Sequence, residues 1–142
     1  MIKIEINKQI VHVNRGETIL AALQKTGIQV PTLCSMADLS PTGACRMCVV
    51  EVEGFDNLVP ACSFPVQEWM KIKTHSPRVL QARKTNVELL LSNHPDDCLY
   101  CERNGNCELQ KLAEDLNVRN RTIHSHKKTY KLDTSSHGII RD

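Results

Sequence analysis

The sequence has few aromatic side chains, no long apolar run and little excess of charge of one sign. Its 142 residues include one tryptophan, two tyrosines and two phenylalanines, and its formal net charge is +2 at pH 7. So small a charge does not point to nucleic acid or to a membrane surface as a partner. No apolar run approaches the roughly 20 residues that a membrane-spanning helix needs. The N-terminal stretch MIKIEINKQIVHV alternates like a strand and has no signal-peptide core, which predicts a cytoplasmic chain.

Cysteine, in contrast, is abundant, with seven in the chain. An odd number argues against a complete disulfide framework, and a reducing compartment would not keep one. Metal ions, iron–sulfur clusters or coincidence remain as explanations, and spacing separates them. The first group follows C-x10-C-x2-C-x13-C (Cys34, Cys45, Cys48 and Cys62). The second follows H-x3-C-x2-C-x5-C if a nearby histidine is counted (His94, Cys98, Cys101 and Cys107).

His94 is the candidate fourth ligand of the second group, which otherwise has only three thiols. With it, two sets of four account for every cysteine in the chain. The alternative is that His94 is a polar residue at a helix end. Pro95 favours an extended conformation for His94, so the preceding helix is expected to end there and leave the imidazole free to turn towards the cysteine loop.

The first 76 residues carry the pattern of strands around one helix. Apolar residues alternate with polar ones in the first two predicted strands (Ile2, Ile4, Ile6, Val11 and Val13). Asn7-Lys8 marks the turn between them, and ETILAALQKTG predicts a helix closed by Gly27. Further strands are predicted in MCVVEVEG, LVPAC and WMKIKT. Two strands, a helix and then strands is the order of a β-grasp ferredoxin, whose long loop from Pro31 to Cys45 would wrap a cluster at one edge of the sheet.

The loop before Cys45 suits a cluster with bridging sulfides, which needs close approach of the backbone and N–H donors aimed at sulfur. Gly43 and Ala44 supply small side chains where bulk would block that approach. A zinc site built on the same C-x2-C spacing is the alternative. Zinc knuckles, however, favour two such pairs within one small unit, and here Cys34 and Cys62 flank a single pair at long range.

The second region begins at Ser76-Pro77, a capping serine followed by a proline at the first helical position. The predicted helix RVLQARKTNVELLLSN carries an apolar stripe (Val79, Val87, Leu90 and Leu91). After the turn signal Asn104-Gly105, Asn106 is expected to cap a helix over CELQKLAEDLN. Its predicted buried face is apolar (Leu109, Leu112, Ala113 and Leu116). Cys107 would then lie in the first helical turn, where the helix dipole stabilises a thiolate.

The remaining histidines are expected to have no ligand role (His12, His75, His124, His126 and His137). The C-terminal tail also carries a run of basic residues (Arg119, Arg121, Lys127, Lys128 and Lys131). It is either a docking segment for an acidic partner or a solvated linker, and the linker is the favoured interpretation. The predicted organisation is thus a domain over 1–76, a small helical domain over 77–118 and a tail over 119–142.

Three stretches together resemble the N-terminal iron–sulfur region of a known family: PTGACRMCVVEVEG, ARKTNVELLLSNH and DCLYCERNGNCELQKLA. That region is shared by iron-iron hydrogenases, the large peripheral-arm subunit of complex I and NAD-dependent formate dehydrogenases. The resemblance spans nearly the whole chain and looks closest to multi-subunit, NAD(P)-linked hydrogenases. It implies a 2Fe-2S cluster on the first group (Cys34, Cys45, Cys48 and Cys62). It also implies a 4Fe-4S cluster on the second (His94, Cys98, Cys101 and Cys107).

The resemblance implies an electron-transfer module without turnover of its own. Its partners would be a flavin- or NAD(P)-binding subunit, a ferredoxin, or a catalytic hydrogenase or dehydrogenase subunit. The final residues, KLDTSSHGIIRD, resemble the linker into the family's next domain, so a fragment and a stand-alone subunit both stay open. A zinc-stabilised interaction domain without redox function is the alternative from a different class.

Overall fold

The structure, a computed structural model, describes residues 1–95, 97–120, 122–125 and 132–139. The elements in chain order are β1 (Ile2–Ile6), β2 (Gln9–Val13), α1 (Ile19–Lys25), β3 (Val49–Val52), β4 (Val59–Pro60), β5 (Lys71–Lys73), α2 (Pro77–Ser92), a 3-10 turn (Cys98–Tyr100) and α3 (Glu108–Asp115). The strands form one five-stranded sheet in the order β2-β1-β5-β3-β4. β1 and β5 run parallel, and the other neighbouring strands run antiparallel. A mixed sheet with helices packed on it confirms the predicted α+β class.

The β1–β2 hairpin follows from the alternating N-terminal sequence. The buried residues of β1 are Ile2, Ile4 and Ile6. Asn7 and Lys8 both have positive φ, 49° and 71°, which is the conformation of a two-residue hairpin turn whose twist matches that of the strands. The Asn7 side chain also accepts from Thr74 N at 3.0 Å and donates to Thr74 Oγ1 at 2.8 Å. The predicted strands and turn are confirmed, and the turn is held against the end of β5.

Helix α1 supplies a large part of the core against the sheet. Its buried residues are Ile19, Leu20, Ala22 and Leu23. Thr18 caps the helix by accepting from Ala21 N at 3.2 Å. Gly27, at φ +74°, ends it, and Ile28 N then donates to Leu23 O at 3.0 Å. The predicted closure by Gly27 is confirmed, because this left-handed conformation is one that glycine adopts without steric cost.

The last three strands are shorter than their sequence patterns. In LVPAC only Val59–Pro60 form a strand, since proline has no N–H to extend the ladder. In WMKIKT the strand is Lys71–Lys73, and Trp69 lies before it, exposed and with φ +65°. A positive φ is incompatible with extended strand geometry, so the tryptophan cannot belong to β5.

Helix α2 begins as predicted and packs on β3. Ser76 Oγ accepts from Val79 N at 3.3 Å, and Pro77 occupies the first helical turn. The buried residues of the helix are Val79, Arg83, Val87 and Ser92. The predicted apolar stripe is therefore only partly right: its two valines are fully buried, whereas Leu90 is exposed and Leu91 is half-buried.

The prediction that Asn106 caps α3 is wrong by one residue. Asn106 N donates to Arg103 O at 2.9 Å, so this asparagine closes the preceding turn. Cys107 is the capping residue instead, in an extended conformation and without a side-chain capping bond. The predicted apolar face of α3 is half-buried throughout (Leu109, Leu112, Ala113 and Leu116), and no residue of the helix is fully buried.

Part of the C-terminal tail lies against α2. Thr122 Oγ1 donates to Glu88 Oε2, and Ser125 Oγ donates to Ser92 O at 2.8 Å. Several tail residues that figured in the sequence predictions lie outside the described residues (Arg121, His126, Lys127, Lys128 and Lys131). Within the described part of the chain, no helix is long and apolar enough to cross a membrane.

Candidate metal centres

The first cysteine group lies where the loop preceding β3 meets the segment after β4. Cys45 N donates to Cys34 Sγ at 3.5 Å, which brings the two ends of the long loop together. Cys48 and Cys62 are buried in the sheet core, 1% and 3% exposed. Ala61 N donates to Cys48 O at 3.2 Å and joins their two segments. The structure thus brings Cys34 close to Cys45 and Cys48 close to Cys62, but among the described residues it does not group three of these thiols so that they could hold a metal ion.

The surroundings of these thiols shift their acidities in opposite directions. Hydrogen bonds lower the pKa of Cys34 to about 7, the largest from the backbone of Cys45 and smaller ones from Thr42 and Ala44. Burial raises the pKa of Cys48 to about 11, with neighbouring Cys62 and Cys45 adding to the rise. The thiolate is the form that binds metal, and N–H donors aimed at sulfur stabilise its charge. Hydrogen bonding therefore favours the thiolate of Cys34, whereas burial favours the neutral thiol of Cys48.

Gly43 permits close packing of the cysteine loop. It has φ +63°, and a Cβ added there would lie 3.1 Å from Ser63 Oγ and 3.7 Å from a Pro60 side-chain carbon. A side chain here would crowd Ser63 and Pro60 and strain the backbone. Whether it would also block the approach of the backbone to a cluster stays a prediction. Ala44, in contrast, is exposed and contributes through its backbone. The thiols, the N–H donors and the tight loop of this group fit the chemistry of an iron–sulfur cluster.

The second group lies in consecutive tight turns between α2 and α3. Cys101 N donates to Cys98 O at 3.2 Å, and Asn104 N donates to Cys101 O at 2.9 Å. Cys98 and Cys107 are half-buried, and Cys101 is exposed. Over the described residues, which leave out Asp96 of this loop, no three His, Cys, Asp or Glu side chains are grouped so that they could hold a metal ion. The ligand roles of both groups therefore stay predictions.

His94 lies at the exit of α2, where the sequence predicts it. Its backbone N–H donates to Leu91 O at 3.2 Å. Its side chain is half-buried and lines a cavity of about 400 Å³ that is also lined by Cys45 and Arg46. Asn86 of α2 donates to Arg46 O at 2.9 Å across this junction. One member of each candidate ligand group therefore borders the same cavity.

Arg83 is a buried residue near the first group that sequence reasoning missed. It lies four residues from both Val79 and Val87, on the buried stripe of α2, and its Nη2 donates to Val49 O at 2.8 Å. Its spacing in the sequence could have revealed this burial, because a residue midway between two valines of an apolar stripe lies on the same face of the helix as they do. Because arginine is usually exposed, the predicted stripe did not include it.

Two family models match successive parts of the chain. Residues 1–77 match the 2Fe-2S iron–sulfur cluster binding domain, and residues 83–122 match the NADH-ubiquinone oxidoreductase-G iron–sulfur binding region. The NADP-reducing hydrogenase subunit HndD of Solidesulfovibrio fructosivorans is 44% identical over 147 residues, covering 100% of this chain and 25% of the relative. The NADH-ubiquinone oxidoreductase 75 kDa subunit of Reclinomonas americana is 40% identical over 128 residues, covering 90% of this chain and 18% of the relative.

A solved structure has a similar fold. The crystal structure of an NAD+-reducing NiFe hydrogenase in the H2-reduced state aligns with a TM-score of 0.84 at 26% sequence identity. The alignment covers 94% of this chain and 56% of that one. The chain spans about a quarter or less of the two curated relatives described above.

Proposed function

The chain belongs to the 2Fe-2S iron–sulfur cluster binding domain family through residues 1–77, and from that membership we propose that it is an electron-transfer module of a multi-subunit oxidoreductase. One set of four cysteines would hold the 2Fe-2S cluster (Cys34, Cys45, Cys48 and Cys62). A histidine and three cysteines would hold a 4Fe-4S cluster (His94, Cys98, Cys101 and Cys107). The proposed domains are 1–76 and 77–118, with the tail over 119–142. The observation that supports electron transfer between the two clusters is the cavity lined by both His94 and Cys45, one candidate ligand from each proposed set.

When bound, such clusters supply one-electron transfer without proton chemistry, and the protein tunes their potentials through ligand charge, hydrogen bonds and burial. Cys48 and Cys62 shield the inner side of the first site from water, since both are buried. Cys34 and Cys45 are half-buried and form the edge nearest to solvent. That edge is the one at which a redox partner could exchange electrons. No side chain is assigned a role as acid, base or nucleophile, so the isolated chain is proposed to have no turnover of its own.

The proposed partners are other subunits or redox carriers. The NADP-reducing hydrogenase relative supports exchange between a flavin- or NAD(P)-binding subunit, or a ferredoxin, and a catalytic hydrogenase subunit. The second candidate is a complex I-like enzyme or a formate dehydrogenase. Of these two, the NADH-ubiquinone oxidoreductase relative favours a complex I-like enzyme. Purification of the intact complex, assayed for hydrogen-dependent and for quinone-dependent electron transfer, separates the two.

Metal content and spectroscopy of the anaerobically prepared chain test the module directly. We expect a brown protein with about six irons per chain and two distinct electron paramagnetic resonance (EPR) signals after reduction by dithionite. Two matched variants assign the signals. Cys48→Ala should lose about two irons and the 2Fe-2S signal, and Cys101→Ala should disrupt the 4Fe-4S signal alone. A colourless, zinc-loaded protein would support the interaction-domain alternative, and loss of both signals in Cys48→Ala would contradict two independent sites.

A further inference from the structure

Arg83 is a buried cation in the part of α2 that packs on β3. Its side chain is among the most deeply buried in the chain, at 2% exposure, and a fully buried valine stands one turn away on either side. Its Nη2 donates to Val49 O at 2.8 Å. Within residues 1–95 and the other described segments, Nε is buried without a hydrogen-bond acceptor, and no carboxylate forms an ion pair with the guanidinium.

An unpaired charge in a protein interior is unfavourable unless an opposite charge compensates for it. A methionine or leucine at position 83 would pack between Val79 and Val87 without that cost. Burial lowers the pKa of Arg83 to about 10, which still leaves the guanidinium charged at neutral pH. Arg83 would therefore be stabilised at this buried position by a nearby negative charge, and no carboxylate of the described residues supplies one.

The first cysteine group would provide that partner when a bound cluster holds its thiols as thiolates. Cys48 directly precedes Val49, whose carbonyl accepts the hydrogen bond from Arg83, and a thiolate at Cys48 favours the protonated form of Arg83. Cys48 itself is a neighbour of Cys62 and Cys45. The guanidinium thus lies within electrostatic reach of the buried member of the first group that precedes Val49.

We propose that Arg83 is the buried counter-charge of the 2Fe-2S site and a positioning residue that raises the reduction potential of the bound cluster. This inference rests on the proposed ligand set. Four thiolates and two sulfides outweigh the positive charge of two irons, so the loaded site is anionic. It gains one further negative charge when it accepts one electron. A fixed cation stabilises the reduced form more than the oxidised form, and a buried one does so with little screening by solvent.

The same contact ties the helical region to the first site. Arg83 lies at the start of the segment that matches the second iron–sulfur binding region, while its partners Val49 and Cys48 belong to the first. Arg83 therefore makes the electrostatic environment of the 2Fe-2S site depend on how α2 is seated against β3.

Redox titration of the loaded full chain, with dithionite as reductant and EPR as readout, tests the proposal. Arg83→Met and Arg83→Gln remove the charge, and glutamine retains a donor for Val49 O. Arg83→Lys keeps the charge. Arg78→Met is the matched control, because it removes an exposed arginine from the same helix. We expect both neutral variants to shift the 2Fe-2S midpoint to lower potential, the lysine variant to stay close to the wild type, and the control to move little.

An intact 2Fe-2S signal with an unmoved midpoint in the neutral variants would overturn the proposal, as would a lysine variant that shifts as far as the methionine variant. If both neutral variants failed to load the cluster while the lysine variant loaded it, charge would still be the property required. Loss of the cluster in all three variants would show that shape matters instead, and would also overturn it. Absence of a 2Fe-2S signal from the wild type is a separate result, because it contradicts the proposed function itself.

Discussion

At the scale of single residues, two thiols of the first group differ because their surroundings differ. Cys34 is half-buried, with the N–H of Cys45 donating to its sulfur, and these surroundings bring its pKa to about 7. Cys48 is 1% exposed, and burial raises its pKa to about 11. Cys34 is thus partly ionised at neutral pH, whereas Cys48 stays protonated. If both bind iron as proposed, the metal has to displace the proton of Cys48.

This difference predicts the order in which the thiols of cluster-free protein react. At about pH 8, a thiol with a pKa near 7 is largely ionised and one with a pKa near 11 is not, so iodoacetamide should alkylate Cys34 at least about tenfold faster than Cys48. Timed quenching with peptide mapping by mass spectrometry measures both rates in one sample. Equal rates for the two cysteines would contradict the predicted environments.

The residue scale also shows what could not be read from sequence. The alternation of Ile2, Ile4 and Ile6 was sufficient to predict β1, because side-chain direction in a strand follows from period alone. The burial of Arg83 was not predictable in this way, since it depends on a carbonyl of β3 and on thiols brought near by tertiary folding. The cavity shared by His94 and Cys45 has the same origin: it joins positions 49 residues apart in the sequence.

At the scale of elements, α2 connects the sheet to the second group. Ser76 Oγ accepts from Val79 N at 3.3 Å, capping the helix, and donates to Glu51 Oε2 of β3 at 2.5 Å. The start of the helix was predictable because the cap is a local sequence signal. Its attachment to β3 was not, because no local pattern specifies Glu51 as the second partner.

Ser76→Ala is expected to lower the free energy of unfolding by about 1 kcal/mol or somewhat more, since it removes both the capping acceptor and the donor to Glu51. Urea unfolding of the loaded protein, followed by circular dichroism, measures the change. Ser136→Ala is the control, because Ser136 is exposed and, among the described residues, its side chain accepts a hydrogen bond only from Gly138 N two residues away. Equal stability of the two variants would show that the cap contributes nothing.

At the scale of the whole molecule, the two regions differ in how much core they possess. The buried apolar cluster includes residues of β1, α1, β3 and β5, whereas α3 has no fully buried residue. The sheet region can therefore draw stability from apolar burial. The region around the second group is expected to depend more on the proposed ligand bonds, as metal-organised domains do.

Removal of the clusters should therefore affect the two regions unequally. In cluster-free protein we expect the amides of α3 to lose their protection against hydrogen exchange, while those of β1 keep most of theirs. Helix α2 should be intermediate, because Val79 and Val87 remain packed on the sheet side. Exchange measured by mass spectrometry on loaded and cluster-free samples gives the comparison. Full protection of α3 without clusters would show that this helix is stable on its own.

The most direct test of the two-cluster module is a redox titration of His94 variants, monitored by EPR, with His12→Ala as the control because His12 is exposed on β2. A 4Fe-4S site with a neutral imidazole ligand carries one negative charge fewer than a site with a fourth thiolate. Because added negative charge disfavours reduction, His94→Cys should lower the reduction potential of this cluster. His94→Ala should leave one iron without a protein ligand and convert the site to a 3Fe cluster or empty it. The 2Fe-2S signal should be unchanged in both. A 4Fe-4S signal that stays intact and unshifted in His94→Ala would contradict the ligand assignment.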